Sequence, residues 1–104
     1  MNSALSINPE ELKIIQEILQ NNLKQKANVW VFGSRANNTA QKYSDLDLLI
    51  DNMGQPISLN LLANLTEAFD ESNLPYKVDI VDYNSISDEF KENIRESLVT
   101  FPGF

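Results

Sequence analysis

The hydrophobic spacing of this chain switches period several times within 104 residues, and few architectures accommodate that alternation. Asn8-Pro9-Glu10-Glu11 opens the first stretch with a capping side chain, a proline at the first helical position and acids in the first turn. Leu12, Ile15, Ile18, Leu19 and Leu23 then recur at helical intervals, which predicts an amphipathic helix from about 9 to 26. Val29-Trp30-Val31-Phe32 is a run of strand formers closed by Gly33. Ser34 onward reads as a short helical turn that dissolves in Asn37-Asn38-Thr39, and Leu46 to Asp51 reads as a second strand ended by Asn52 and Gly54.

Ser58 caps a second predicted helix with Leu61, Leu62, Leu65, Ala68 and Phe69 on one face. After Pro75, Lys77-Val78-Asp79-Ile80-Val81 predicts a third strand. Ser87-Asp88-Glu89 starts a last helix, expected to bury Phe90, Ile94, Leu98 and Phe101 and to stop at Pro102-Gly103. The expected fold is α+β in two layers, a small mixed sheet with helices packed on one face, in a single domain spanning residues 1–104.

Composition narrows the chemistry. The chain has no Cys and no His, so thiolate nucleophiles, imidazole bases and soft-metal sites are excluded. Carboxylates without histidine favour hard cations such as Mg²⁺, Mn²⁺ or Ca²⁺. The net charge of −7 disfavours direct binding along a nucleic-acid backbone. An anionic nucleotide remains a feasible ligand if cations lie between it and the protein. With no long apolar run for a membrane span or signal peptide, the expectation is a cytoplasmic protein.

Three features could carry chemistry. Gly33-Ser34 joins a strand to a helical turn, where exposed amides favour an anion; a capped strand-ending turn is the structural alternative. Asp45 and Asp47 lie two apart and so share one strand face, with Leu46, Leu48 and Ile50 on the other. Side by side they repel unless a cation sits between them; a solvated acidic edge is the alternative. Asp79 interrupts an apolar strand, against the β-propensity of aspartate, whereas Asp51 and Asp82 fall at strand ends where turns account for them. An EF-hand reading fails, because counting from Asp45 puts Leu49 and Ile50 where a ligand and the obligatory glycine belong.

Taken together, Gly33-Ser34, ten intervening residues and Asp45-Leu46-Asp47 form Gly-Ser-x10-Asp-x-Asp, with a third carboxylate on a later strand. This pattern resembles the nucleotidyltransferase superfamily that includes DNA polymerase beta. The wider Phe32-Gly33-Ser34-Arg35-Ala36 and Ser44-Asp45-Leu46-Asp47-Leu48 resemble the minimal nucleotidyltransferases, antitoxin members of two-gene modules with a helical HEPN-domain protein. The resemblance implies that Asp45 and Asp47 bind two Mg²⁺ ions (Mn²⁺ is an alternative) against a triphosphate, most simply ATP. It also implies that Asp79 joins the catalytic metal and helps deprotonate the acceptor hydroxyl, and that Gly33 and Ser34 hold the terminal phosphates. Arg35 is expected either beside those phosphates or in an ordinary surface or salt-bridged position.

The same resemblance implies transfer of AMP to a tyrosine of a HEPN-type partner within a hetero-oligomer. The other reading is a non-catalytic module that neutralises its partner by contact. One helix face cannot bury Leu98, Val99, Phe101 and Phe104 together, so these residues are expected at a partner interface or in the domain's own core.

Overall fold

The computed structural model describes residues 5–23 and 27–104. Helix α1 runs Pro9–Asn22, and the Asn8 side chain accepts a hydrogen bond from the Glu11 amide at 2.8 Å, as the opening residues predict. Leu23 has left the helical region and closes it, four residues or so before the expected end; positions 24–26 of that expectation lie outside the described residues. Strands β1 (Asn28–Phe32), β2 (Leu46–Asp51) and β3 (Val78–Asp82) fall where the period-two runs place them, the last displaced by one residue. Helix α2 (Leu59–Asp70) is capped by the Ser58 hydroxyl, which accepts from the Leu61 amide.

The sheet order is β3-β2-β1-β4. β1 pairs antiparallel with β2 and β4, whereas β2 and β3, joined through α2, run parallel, so the sheet is mixed. One face carries Val29, Val31, Leu46, Leu48, Ile50 and Val78, all buried with Ile15 and Leu19 of α1 and Leu65 and Phe69 of α2. This is the two-layer α+β arrangement expected from the sequence. The opposite face keeps Asp47 and Asp79, and also Leu49, which is fully buried yet stands apart from that core.

Aromatic contacts lie on this second face. Trp30 and Phe32 share it, Trp30 meets Tyr83 with ring centroids 5.6 Å apart, and Phe32 meets Phe90 edge-on at 6.1 Å. Phe90 belongs to α3 (Asp88–Ile94), so this short helix reaches onto the acidic face, where Asp47 and Asp79 stay half-buried.

The C-terminus departs from expectation. Helix α3 ends at Ile94, a 3₁₀ turn covers Arg95–Ser97, and Val99–Thr100 form β4 against β1. Leu98 and Phe101 therefore do not lie on a helix face. In a strand, alternate residues share a side, and Val99 and Phe101 both turn to the core. Phe101 is fully buried, its amide donates to Val29 O at 2.8 Å, and Phe104 packs 6.0 Å from its ring. Of the two placements expected for these residues, the domain's own core is the one that Val99, Phe101 and Phe104 adopt. The helical reading missed it because a two-residue strand is too short for a periodicity signal.

Candidate active site

The site is organised by the register of three strand ends. Phe32, the last residue of β1, pairs with Asp47 of β2, and Asp47 pairs with Asp79 of β3. Side chains at paired positions of neighbouring strands leave the sheet on the same side. Asp47 and Asp79 are therefore neighbours on the face away from the main core, half-buried, and Asp45 precedes β2 in an exposed position.

Their electrostatics reflect this crowding. Burial, then the Asp79 carboxylate, then that of Asp45 hold the Asp47 carboxyl above its usual range. Among the described residues, none of the three carboxylates takes part in an ion pair or accepts a hydrogen bond. No three acidic side chains among the described residues close into a ready-made metal cage. The donor chemistry nonetheless suits a hard divalent cation, with clustered, unpaired carboxylate oxygens and no softer ligand in the chain.

Gly33 follows Phe32 directly and takes φ +78°, a conformation that side chains resist. A Cβ built there collides with Oδ2 of Asp47. Glycine thus serves both the turn and the space that the Asp47 carboxylate occupies. Residues Gly33–Arg35 form one 3₁₀ turn, in which Gly33 O accepts from the amides of Ala36 and Asn37. Ser34 is half-buried in that turn, and its hydroxyl has no protein partner among the described residues. Gly33, Ser34, Asp45, Asp47 and Asp79 are thereby drawn to one end of the sheet.

Arg35 is not drawn to that cluster by any contact. It is buried, 5% exposed, and its guanidinium makes five hydrogen bonds to four backbone carbonyls: Ser6 O, Gln41 O, Lys42 O and, twice, Ser44 O. It also stacks 3.8 Å from the centroid of the Tyr76 ring. Of the sequence expectations, a surface position is excluded by this burial, Arg35 makes no ion pair among the described residues, and its contacts include no group of the acidic cluster. The carbonyls of a loop leave no mark in sequence, so this role could not be read there. Asp51 and Asp82 take the turn roles expected of them: Asp51 accepts from the Gly54 amide, and Asp82 from the amides of Ile57 and Asn84.

A sheet that presents paired carboxylates beside a glycine-serine turn fits a nucleotidyltransferase, and sequence comparison gives that class. The family described as "Polymerase beta, Nucleotidyltransferase" matches residues 13–100. A Haemophilus influenzae protein named probable protein adenylyltransferase MntA is 45% identical over 95 residues, covering 91% of this chain and 82% of its own length. A Methanocaldococcus jannaschii protein, MJ0126, provisionally named a protein adenylyltransferase, is 39% identical over 95 residues, covering 85% and 95% respectively. A second from that organism, MJ1217, similarly named, is 38% identical over 91 residues, covering 86% and 90%. The chain belongs to the polymerase beta-like nucleotidyltransferases and, within them, to the minimal nucleotidyltransferase family.

Proposed function

We propose that this nucleotidyltransferase transfers AMP from ATP to a hydroxyl of a partner protein, a tyrosine of a HEPN-type partner, and so acts as its antitoxin. The observation that carries the reading is the in-register pairing of Asp47 with Asp79, beside a glycine that leaves room for the Asp47 carboxylate. In such a transfer the acceptor oxygen bonds to the α-phosphorus, the bond from that phosphorus to the α,β-bridging oxygen breaks, and pyrophosphate leaves. The acceptor proton departs toward a nearby carboxylate, and Asp79 is assigned that part. Gly33 and Ser34 receive the terminal phosphates on the amides and free hydroxyl of their turn. Asp45, Asp47 and Asp79 hold the Mg²⁺ ions, which when bound supply charge neutralisation for the entering and leaving oxygens. The relatives' names, which specify adenylyl transfer to protein, support AMP as the group and protein as the acceptor.

Among the described residues no helix is long and apolar enough to cross a membrane, and a cytoplasmic reaction is part of the same proposal. A hetero-oligomer follows from the same reading, since the acceptor resides on another chain. The test uses Asp45→Asn in a preparation containing the HEPN-type partner. The variant is expected to remain in the complex while AMP transfer falls by about a hundred- to a thousandfold, the scale of losing a principal electrostatic group. Transfer at the wild-type rate would remove Asp45 from the mechanism. Neutralisation of the partner by a complex that cannot transfer AMP would favour the contact-only reading.

A further inference from the structure

The residues between the two halves of the motif raise a mechanical problem. Ser34 and Asp45 belong to one site, yet ten residues lie between them, only Gly33–Arg35 of the connection has helical hydrogen bonding, and several of its side chains are exposed. A free loop of that length samples many end-to-end separations, whereas transfer chemistry tolerates little misplacement of its groups.

We infer that Arg35 is a positioning residue for nucleotidyl transfer, acting through the backbone that leads into Asp45; the inference rests on the proposed reaction. Arg35 follows Ser34 directly, and the carbonyl it grips twice, Ser44 O at 3.1 and 2.9 Å, directly precedes Asp45. One rigid, forked group thus spans from one half of the motif to the other. Its Nη2 also meets Gln41 O at 3.3 Å and Lys42 O at 3.1 Å, and Nη1 donates to Ser6 O at 2.7 Å. The Ser6 amide returns a bond to Arg35 O at 2.9 Å, which ties the segment before α1 to the same point.

The end of the loop is closed around this grip. The Ser44 amide donates to Gln41 O at 3.1 Å and the Gln41 amide to Ser44 Oγ at 2.9 Å. Beneath it lies Tyr76, whose hydroxyl donates to Glu11 Oε1 at 3.0 Å, and the next residue, Lys77, accepts from the Leu46 amide through its carbonyl at 2.9 Å. The guanidinium is accordingly the point where α1, the motif loop and the start of β3 meet. A buried cation without a carboxylate partner is costly unless its donors are satisfied, and carbonyls plus an aromatic face do so here. Lysine carries the same charge but gathers three donors on one nitrogen, too few and too close together for four carbonyls reached from Nε, Nη1 and Nη2, and it has no planar face to lay on the Tyr76 ring.

The experiment compares wild type with Arg35→Lys by hydrogen exchange and by steady-state transfer of labelled AMP. The expected result is faster exchange confined to amides between residues 36 and 46, kcat reduced at least about tenfold, and KM for Mg·ATP changed less than about threefold. A rise in KM with kcat preserved would mean that Arg35 binds nucleotide, and an unchanged kcat per folded molecule would mean that it only stabilises the fold. Either result overturns the inference, as does exchange that accelerates across the whole sheet. If wild type transfers no AMP, the proposed function fails, while the confined exchange pattern still reads the positioning separately. Should Arg35→Lys not fold, Tyr76→Leu removes the ring beneath the guanidinium and keeps the carbonyls. The same loop-confined exchange is then expected, and its absence overturns the inference.

Discussion

The charged form of Asp47 is disfavoured by its own surroundings, and its behaviour with pH follows from that. Burial and the charges of Asp79 and Asp45 raise its folded-state pKa, so between the unfolded and folded values the native state binds more protons than the unfolded chain. Stability of the metal-free protein is expected to fall as pH rises from about 3.8 through the raised pKa of Asp47, and then to level off. Asp47→Asn removes this loss. The substitution should stabilise the metal-free protein near neutral pH by roughly 0.2–1 kcal/mol, the scale of like charges on paired strand positions, while abolishing transfer. Denaturant titrations of both forms at pH 4.5 and 7.5 check the sign; a variant less stable than wild type at pH 7.5 would show that the carboxylate is held favourably in the native state.

Gly33 is the other residue whose identity is dictated by geometry. Gly33→Ala meets both a φ of +78° and the Asp47 carboxylate. The backbone term alone costs about 1–2 kcal/mol, so thermal scans should show a clear drop in melting temperature, with transfer activity lost at temperatures where the variant is still folded. Wild-type activity in the folded variant would show that the Asp47 carboxylate can move aside without consequence.

At the scale of elements, legibility tracked the strength of each local signal. The caps at Asn8 and Ser58 and the six residues of β2 are local properties, and all were readable from period and residue type, whereas Asp45, expected inside that strand, precedes it. The partner of Asp47 was not readable in that way, and Asp79 was expected beside it only through the family resemblance. That Asp79 pairs with it in register is set by how α2 returns the chain parallel to β2, which no local pattern encodes. Leu49 illustrates the same gap: it points to the acidic face, yet it is buried there, on the side where Trp30 meets Tyr83 and Phe32 meets Phe90. The fourth strand was missed outright, because two residues pairing with a distant strand leave no period to detect. Its consequence is testable. Phe101→Ala is expected to cost about 3–5 kcal/mol in equilibrium unfolding, the range for an aromatic side chain truncated in a core. A cost under about 1 kcal/mol would return this segment to the role of partner contact. The large apolar side chains that stay exposed among the described residues, Tyr43, Met53 and Leu59, all lie elsewhere.

For the molecule as a whole, charge and architecture converge on one requirement. A chain of net charge −7 that gathers three carboxylates at one end of its sheet repels a triphosphate until cations intervene. The family assignment makes it a nucleotidyltransferase, and in the proposed reaction its acidic face directs the α-phosphate of ATP onto a protein hydroxyl. The most direct measurement incubates the protein with Mg²⁺, the HEPN-type partner and ATP labelled either at the α- or at the γ-phosphate, and reads label retained on denatured protein. In the wild type, α-label is expected to enter the partner's tyrosine and γ-label is not, with both absent when Asp47 is replaced by Asn. Retention of γ-label would mean phosphoryl rather than nucleotidyl transfer, and α-label that persists in Asp47→Asn would place the chemistry away from these carboxylates.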